Sequence, residues 1–466
     1  MERVQRNGMI GWRHEQIFLM FLGISIAYAL RVNFSVGIVA MTSNTTNTDY
    51  PTIDWNTKEK GQLLGSFFFG YFCTQIPAGV IADRYGPSKF LAVAMLFCGV
   101  ATLLFPLVTL RGGYYAAYAS RVLQGLGQGF LYPCVNTHMS KWAVPTERGK
   151  LFAFAFGGSQ FGTIVMLGIG GYLAVGSGGW PSIYYYSGAA AVIWGILCLL
   201  FVADSPRQHN WISEEERDYI EKTFGSDSPK TKERTSPPWG DIITSRPLWA
   251  LLVVHMAQNW GFWTLLTMIP SYIKGVLNFN IQENGMLSSL PYIAMWLCTL
   301  IFSALADMVN RRKWLSLNFS RKMWNSIAHY GGACALMLLF FKQTNSTEAI
   351  ILLTIAVALN AGTYLGYLCN HLDLSPNFAG VLMGITNGLA NIASILGPTV
   401  AGYIVTDETN NKEWQTVFVT SAIIFFCGNS IFVLFGSTET QPWNQPKKLT
   451  QASLSMDPIN TTSPEK

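Results

Sequence analysis

The stretch Ala119-Ser-Arg121-Val-Leu-Gln124-Gly-Leu-Gly-Gln128-Gly-Phe-Leu-Tyr132-Pro133 decides the fold, because it places a charged residue inside a long apolar run. The run at 113–139 is long enough to cross a bilayer as a helix. An arginine at the centre of such a helix costs about 2.5–3.5 kcal/mol and usually marks an ion or substrate path. Arg121, Gln124 and Gln128 fall on one helical stripe. We therefore expect this stripe to face a cavity, where Arg121 meets an anion.

The composition indicates a polytopic membrane protein. Half of the 466 residues are hydrophobic, only 12% are charged, and 15 are Trp. The net charge of +5 predicts no nucleic-acid partner, because the basic residues are scattered through short loops. The eight Cys lie in apolar segments or at their ends, so we expect neither an extracellular disulfide nor a metal site.

Twelve mainly apolar runs have the length of membrane-spanning helices. They lie at 17–40, 62–82, 90–110, 113–139, 151–175, 183–203, 249–273, 286–306, 324–341, 349–370, 378–404 and 416–435. We predict an all-α protein divided into a cytoplasmic N-terminus (1–16), a six-helix bundle (17–203), a cytoplasmic linker (204–248), a second six-helix bundle (249–435) and a disordered cytoplasmic tail (436–466). A capping-box pattern at 213–216 predicts a short surface helix over 217–224 within the linker.

The distribution of Lys and Arg orients the chain. With both termini in the cytoplasm, basic residues in inside segments outnumber those in outside loops by about four to one. The sequons that begin at Asn44 and Asn345 then fall in outside loops, where we expect glycosylation.

The two halves of the chain repeat one another. Pro145, Gly157, Gly171 and Tyr172 recur at a constant offset of 231 residues, as Pro376, Gly388, Gly402 and Tyr403. Parallel six-helix repeats are typical of transporters whose halves rock about a central site.

The loop Gly79-Val-Ile-Ala-Asp83-Arg84-Tyr-Gly86 resembles the signature loop of the major facilitator superfamily. The resemblance implies a cytoplasmic latch, in which Asp83 and Arg84 make contacts that hold one access state. The second half echoes this loop at Asp307, which is followed by Arg311 and Arg312.

Further motifs resemble the anion/cation symporter family, which contains vesicular glutamate transporters, sialin and the sodium-phosphate cotransporter homologues. They are Tyr28-Ala-Leu-Arg31-Val-Asn33, Gly65-Ser-Phe-Phe-Phe-Gly70-Tyr71, Thr74-Gln-Ile-Pro77, the stretch 119–133, Lys141-Trp142, Pro145-x-Glu147-Arg148 and Asn259-Trp260-Gly-Phe262. The resemblance implies two six-helix bundles related by a pseudo-two-fold axis, with Tyr28 and Tyr71 at the substrate cavity. It adds Glu147 and Arg148 to the gating set.

Two arginines suit an anionic substrate. Arg31 and Arg121 both fall within about 10 Å of the bilayer midplane, on its outer side, so they can reach one site. No carboxylate lies inside the twelve predicted spans to pair with them. We expect Arg31 and Arg121 to bind the anion, with Tyr28, Tyr71, Gln128, Gln258 and Asn259 completing the site.

Gln128 departs from the family pattern. Proton-coupled members carry Glu at this position, and glutamine cannot titrate. Leu64 and Gln258 stand where the vesicular glutamate branch carries His and Arg, so membership of that branch is disfavoured. Na⁺ coupling needs no buried acid, and Gln258, Asn259, Asn360, Asn387 and Asn391 are candidate ligands. His138, His255, His329 and His371 are the alternatives that could carry a proton.

The sequence therefore predicts a secondary active transporter of small anions, either inorganic phosphate or an organic carboxylate, coupled to Na⁺. A proton-coupled or potential-driven transporter of the sialin type is the first alternative, and a non-transporting anion sensor on the same fold is the second. We expect no catalytic residues and no cofactor apart from the coupling Na⁺ or H⁺. The partners are the anion, the coupling cation and the lipid bilayer. Neither tail carries an acidic dileucine signal, which favours the plasma membrane.

Overall fold

The computed structural model describes residues 11–43, 50–144, 147–225, 237–341 and 345–444, which form α-helices joined by short turns. The helices are α1 (Trp12–Met41), α2 (Thr57–Tyr85), α3 (Pro87–Gln128), α4 (Leu131–Trp142), α5 (Arg148–Val175), α6 (Pro181–Phe201), α7 (Glu214–Gly225), α8 (Trp239–Ile243), α9 (Arg246–Gly275), α10 (Ile281–Arg311), α11 (Leu317–Phe341), α12 (Ser346–Ala358), α13 (Tyr367–Leu374), α14 (Ala379–Ile404) and α15 (Asn411–Phe435).

These helices provide twelve membrane spans. Length and hydropathy alone identify eight candidates, and one of them, Pro87–Trp142, is 56 residues long. That candidate is two spans, because Gly113 adopts φ 63° and ψ −152° and bends α3 sharply at its middle. The less apolar helices α2, α9 and α11 complete the twelve. The predicted architecture of two six-helix bundles is confirmed.

The packing repeats between the bundles. In the N-terminal bundle α1 packs on α5 and α3 on α6, and in the C-terminal bundle α9 packs on α14 and α11 on α15 in the same relation. The bundles meet where α2 packs on α14 and where α5 packs on α10. A site between the bundles is therefore bounded by two equivalent pairs of helices.

The same device starts two equivalent helices. Asn56 accepts a hydrogen bond from Glu59 N at 2.9 Å, and the Glu59 carboxylate accepts one from Asn56 N at 3.0 Å. Asn280 and Glu283 form the same reciprocal capping box before α10. Each box satisfies backbone donors that a helix start leaves unpaired.

Two spans that the sequence predicts as continuous are broken. The fourth span, predicted at 113–139, is interrupted after Gln128, and it resumes at Leu131 as α4. Pro133 contributes here, because it has no N–H to donate to the carbonyl of Gly129. The tenth span, predicted at 349–370, consists of α12, a 3₁₀ turn at Leu359–Tyr364, and α13.

The linker helix is longer than predicted and is docked on the N-terminal bundle. α7 begins at Glu214, and Ile220 on it is fully buried in that bundle's core. The Glu216 carboxylate accepts hydrogen bonds from Trp12 N (3.0 Å) and Arg13 N (3.1 Å), and thereby caps α1. This cap lets α1 begin at Trp12, five residues before the predicted start of the first span.

Part of the C-terminal tail is ordered, so the prediction of disorder from residue 436 is wrong for residues 436–444. Asn444 Oδ1 accepts hydrogen bonds from Ser375 Oγ (2.7 Å) and Asn377 N (3.0 Å). Gln441 N donates to Leu374 O at 2.9 Å. These bonds attach the segment after α15 to the turn between α13 and α14.

Candidate functional site

Arg31 and Arg121 lie together in the interior of the N-terminal bundle. Arg31 is 5% exposed on α1, and Arg121 is 2% exposed on the second segment of α3. Their guanidinium carbons lie 5.0 and 5.2 Å from the centre of the same Phe67 ring. Arg121 Nη2 also donates to the Arg31 carbonyl at 3.4 Å. Two positive charges therefore converge on one place.

Close helix packing explains why they converge. A Cβ atom on Gly70 would lie 2.0 Å from Val122 O, and one on Gly125 would lie 1.9 Å from Phe67 O. Only glycine allows α2 and α3 to approach this closely. The contact brings Phe67 and the rest of the Gly65–Tyr71 motif against the helix face that carries Arg121.

Gln128 fixes Arg31 without neutralising it. Its Oε1 accepts hydrogen bonds from Arg31 Nε (3.3 Å) and Nη2 (3.1 Å), and its Nε2 donates to Ala27 O (3.0 Å). Because Nε2 donates to Ala27 O, the amide oxygen is the end of Gln128 that faces Arg31. No carboxylate pairs with either arginine within the described residues. The charge on Arg31 therefore remains available to a ligand.

Aromatic rings surround Arg31. Its guanidinium carbon lies 4.7 Å from the ring centre of Tyr28, 4.8 Å from that of Tyr71 and 5.4 Å from that of Trp263. Ring faces attract a cation, and this reduces the cost of burying one. Trp263 belongs to the C-terminal bundle, so it closes the site from the opposite half. Trp263 is not among the site residues predicted from the sequence, although it directly follows the Asn259–Phe262 motif.

Arg121 has unused hydrogen-bonding capacity. Its Nη1 donates to Gln124 Oε1 at 2.8 Å, but its buried Nε has no partner among the described residues. Leaving a buried donor unpaired costs about 1–3 kcal/mol. An anion between the two arginines would remove this penalty.

Tyr28 and Tyr71 lie at the site, as their contacts with Arg31 require. The hydroxyl of Tyr28 is 2.7 Å from that of Tyr132, and Gln75 Nε2 approaches the Tyr71 hydroxyl at 3.5 Å. Gln258 and Asn259 lie on α9, and no described hydrogen bond joins either residue to the arginines. Gln258 is buried and its Oε1 has no partner in the described part of the chain.

The outer side of the site is closed. A narrow crevice beside the arginines, too small to hold a water molecule, is lined by Arg31, Val32, Ser35, Leu64, Phe68, Arg121, Trp263, Leu266 and Thr267. Further out, a Cβ atom on Gly402 would lie 2.6 Å from Thr57 O, and one on Gly171 would lie 2.3 Å from Ile281 O. Lys60 Nζ pairs with Glu408 Oε1 at 2.8 Å between the bundles.

The side that the basic residues assign to the cytoplasm is open. Gly402, Asn391 and Gly384 recur at helical spacing on the face of α14 that meets α2. Gly402 is in tight contact, Asn391 Nδ2 donates to Gln75 Oε1 at 3.1 Å, and Gly384 has no atom within 4 Å of where its Cβ would be. On α5, Gly157 is similarly uncovered. The described parts of the two bundles are therefore in closer contact on the outer side than on the inner side, as expected of an inward-facing state.

The predicted latch is described only in part. Gly86 lies between α2 and α3 with φ 91°, and the neighbouring Ser88 N donates to Asp204 Oδ1 at 2.8 Å. Asp307 and Arg312 line an open hollow at the cytoplasmic end of α10. The side chains of Asp83, Arg84 and Arg148, like the surroundings of Gly79, lie outside what the structure describes.

Glu147 contacts the start of α1. Its carboxylate lies 3.3 Å from Arg13 Nε and 3.8 Å from His14 Nε2. Arg13 Nη1 also lies 3.5 Å from the Glu216 carboxylate. Glu147 therefore joins parts of the N-terminal half, and none of its contacts with described residues bridges the bundles.

Of the two sequon residues predicted to be glycosylated, the structure describes Asn345. Asn345 caps α12, with its Oδ1 accepting from Glu348 N at 2.8 Å. Its glycosylation stays a prediction. Asn44 lies outside the described residues.

Comparison with known sequences identifies relatives along almost the whole chain. The family profile described as Major Facilitator Superfamily matches residues 20–398. A Drosophila ananassae protein named as an inorganic phosphate cotransporter is 39% identical over 96% of this chain and 97% of its own length. Human sialin is 37% identical over 92% of this chain and 90% of its own length. Bovine vesicular glutamate transporter 2 is 33% identical over 92% of this chain and 75% of its own length.

Comparison with solved structures agrees on the fold. An inward-facing, unoccupied bacterial homologue of the human lysosomal transporter Spinster matches with a TM-score of 0.71 at 14% identity, over 93% of this chain and all of its own. The inward-open xylose transporter XylE from E. coli matches with a TM-score of 0.64 at 16% identity, over 88% and 95%. The chain belongs to the major facilitator superfamily and, within it, to the anion/cation symporter family that its motifs resemble.

Proposed function

We propose that this protein carries a small anion across the membrane by alternating access, with Arg31 and Arg121 as the anion-binding residues. The observation that carries the proposal is a pair of buried, uncompensated guanidinium groups in the N-terminal bundle, one of which Trp263 covers from the C-terminal bundle. Transporters of this fold bind substrate between their bundles. The fold and the relatives are those of transporters, not of enzymes.

The candidate anions are inorganic phosphate and small organic carboxylates. Guanidinium groups bind both through paired N–H donors. Relatives named for phosphate and for glutamate are consistent with either class. Tyr28 and Tyr71 would orient the anion through their hydroxyls, and Gln128 would hold Arg31 in position.

Na⁺ is our first choice of coupling ion. Gln128 cannot release a proton, and uncharged oxygens are sufficient ligands for Na⁺. An anion that enters with Na⁺ also brings less net charge across the membrane.

One contact favours the proton-coupled alternative. His255 Nδ1 and His371 Nε2 lie 3.2 and 2.8 Å from the same Thr386 Oγ1, so a hydroxyl joins two buried imidazoles. If a proton is the coupling ion, His255 and His371 are the residues that we expect to carry it. The non-transporting sensor would keep the arginine site without net flux.

The plasma membrane is the membrane we propose. The relatives include vesicular transporters, so the choice between the cell surface and an internal membrane needs a direct test. Labelling with a membrane-impermeant biotin reagent on intact cells tests this directly. Protein found only in an internal fraction would reject it.

The test of function is uptake of radiolabelled phosphate, glutamate and sialic acid into cells that express the chain, in Na⁺ or choline medium, at pH 5.5 and 7.5. We expect uptake of one anion that requires Na⁺, changes little with pH, and is lost in Arg121→Ala at equal surface expression. Uptake that follows the proton gradient would replace Na⁺ with the histidine alternative. Anion binding without uptake would favour the sensor.

A further inference from the structure

The breaks in the fourth and tenth spans are equivalent positions of the repeat. Gly129, where the fourth span is interrupted, and Asn360, in the 3₁₀ turn of the tenth, are 231 residues apart. The same offset relates Gly171 to Gly402. Interrupted helices in corresponding positions of two repeats indicate binding sites in transporters.

The two breaks present different chemistry. The fourth span carries Arg121 and Gln128 just before its break. The tenth has only neutral oxygens in the equivalent region, because Leu352 and Leu359 stand 231 residues after Arg121 and Gln128. The first break lies beside an anion site, whereas oxygens without charged donors suit a cation.

Asn360 supplies an oxygen without a partner. Its side chain is 1% exposed, and its Nδ2 donates to Ala356 O at 2.7 Å, which fixes the orientation of the amide. The Oδ1 atom has no hydrogen-bond partner among the described residues. A buried acceptor in this state is unfavourable unless a ligand occupies it.

The backbone near Asn360 offers one further oxygen, the Thr363 carbonyl. Tyr367 N donates to Asn325 Oδ1 at 3.3 Å and not to the Thr363 carbonyl four residues before it. The C-terminal end of α12 also directs its partial negative charge at the break. The neighbouring carbonyls are occupied: Arg321 Nη1 donates to Leu365 O at 3.0 Å, Leu365 N and Gly366 N donate to Gly362 O, and Thr363 Oγ1 donates to Asn360 O. Among the described residues, the Thr363 carbonyl is therefore the backbone oxygen left open beside Asn360 Oδ1.

The break is connected to the other bundle. Gln160 Nε2 on α5 donates to the Tyr364 hydroxyl at 3.1 Å. A ligand that orders the 3₁₀ turn would therefore also stabilise a contact between the bundles. This is the link that coupling of a cation to anion transport requires.

We propose that the coupling Na⁺ binds at the break in the tenth span, with Asn360 Oδ1 as its side-chain ligand and the Thr363 carbonyl as its backbone ligand. The inference rests on the proposed anion-transport function and assigns a place to its cation. Asn360 shares no described hydrogen bond with Arg31 or Arg121, so the two ligands can be tested separately.

Two substitutions distinguish a ligand from a structural residue. Asn360→Asp keeps an oxygen but loses the donor to Ala356 O, whereas Asn360→Leu loses both. We expect Asn360→Leu to raise the Na⁺ concentration for half-maximal uptake at least tenfold, with the half-maximal anion concentration at saturating Na⁺ changing less than twofold. Asn360→Asp should need no more Na⁺ than the unmodified protein. The control is Ser421→Ala, which removes a buried hydroxyl that also has no hydrogen-bond partner among the described residues.

A second measurement does not depend on transport. In purified protein, NaCl should raise the thermal unfolding temperature relative to choline chloride, and Asn360→Leu should abolish this shift while phosphate or glutamate still stabilises the variant. Equal Na⁺ responses in Asn360→Leu and the unmodified protein would overturn the site but leave anion transport intact. Loss of the Na⁺ response in Asn360→Asp as well would assign Asn360 a structural role and reject it as a ligand. Anion uptake by the unmodified protein without Na⁺, and no thermal shift, would overturn both the site and Na⁺ coupling.

Discussion

The two bundles have the same scaffold and different chemistry. Gly171 and Gly402 are equivalent residues, and each makes a tight backbone contact at the outer side of the molecule. The breaks in the fourth and tenth spans are equivalent as well. Yet Arg31 and Arg121 both belong to the N-terminal bundle, while Leu352 is the repeat equivalent of Arg121. The repeat therefore supplies the common scaffold, and the proposed anion site rests on side chains that the repeat does not reproduce.

Removing an unrepeated charge should have the largest effect. Arg121→Ala would delete half of the proposed anion contact, and loss of one partner in a buried charged pair costs about 2–5 kcal/mol, or about thirtyfold and more in affinity. We expect anion uptake to fall to background. Arg111→Ala, which removes an exposed arginine of α3, is the matched control and should leave uptake unchanged. Normal uptake by Arg121→Ala would reject the site.

Repeated residues should give equal effects in the two bundles. In Gly171→Val and Gly402→Val the new side chain meets backbone atoms, and such overpacking costs about 1–3 kcal/mol. We expect uptake to fall about tenfold in both. Labelling of a cysteine at Ser35, in the outer crevice, by an impermeant thiol reagent should rise in both.

Gly240→Ala is the control for the glycine variants, because no atom lies within 4 Å of the place where a Cβ on this linker residue would be. A large effect of one glycine variant with little effect of the other would show that the outer contacts are not equivalent.

Gln128→Glu should make the N-terminal bundle sensitive to pH. An ionised Glu would pair with Arg31, whose Nη2 lies 3.1 Å from Gln128 Oε1, and would compete with the anion. Protonation restores a neutral side chain, so uptake by the variant should rise as pH falls, by about tenfold between pH 7.5 and 5.5. The unmodified protein should change less than twofold over this range. A flat profile in the variant would mean that residue 128 does not control the charge of the site.

The ion pair between the bundles should have the smallest effect. Lys60 and Glu408 are 12% and 27% exposed, and partly exposed pairs contribute about 0.2–1 kcal/mol. We expect Lys60→Ala to raise labelling at Ser35→Cys about twofold. The exchange Lys60→Glu with Glu408→Lys should restore the original value, and failure to do so would assign the effect to packing.

The sequence predicts much of this molecule because the bilayer restricts the possible structures. Twelve spans and two bundles follow from apolar length, and the depth of Arg31 and Arg121 follows from helix geometry. The breaks in the fourth and tenth spans were not predicted, since apolar runs continue through them. A break depends on a side chain that replaces a backbone carbonyl as the acceptor of a hydrogen bond, as Asn325 Oδ1 does for Tyr367 N.

Contacts between distant segments also escape sequence reasoning. Trp263 covers Arg31 from the other bundle, and Glu216 caps α1 from the linker. Trp263 and Glu216 are of the same residue types as other residues close to them in the sequence, so nothing in the sequence distinguishes them. Only the assembled helices bring these residues to their partners.

The closed outer side and open inner side determine where the transmembrane voltage falls. Because the crevice beside Arg31 and Arg121 admits no water while Gly157 and Gly384 on the inner side are uncovered, we expect most of the voltage to drop across the outer seal. Rocking then transfers two charges between the potentials of the two compartments, at about 2.3 kcal/mol per charge per 100 mV. A negative interior holds the empty carrier inward-facing, and a bound doubly charged anion cancels this hold. We expect a transient current after voltage steps that saturating dianion suppresses, and a current unaffected by any anion would contradict this.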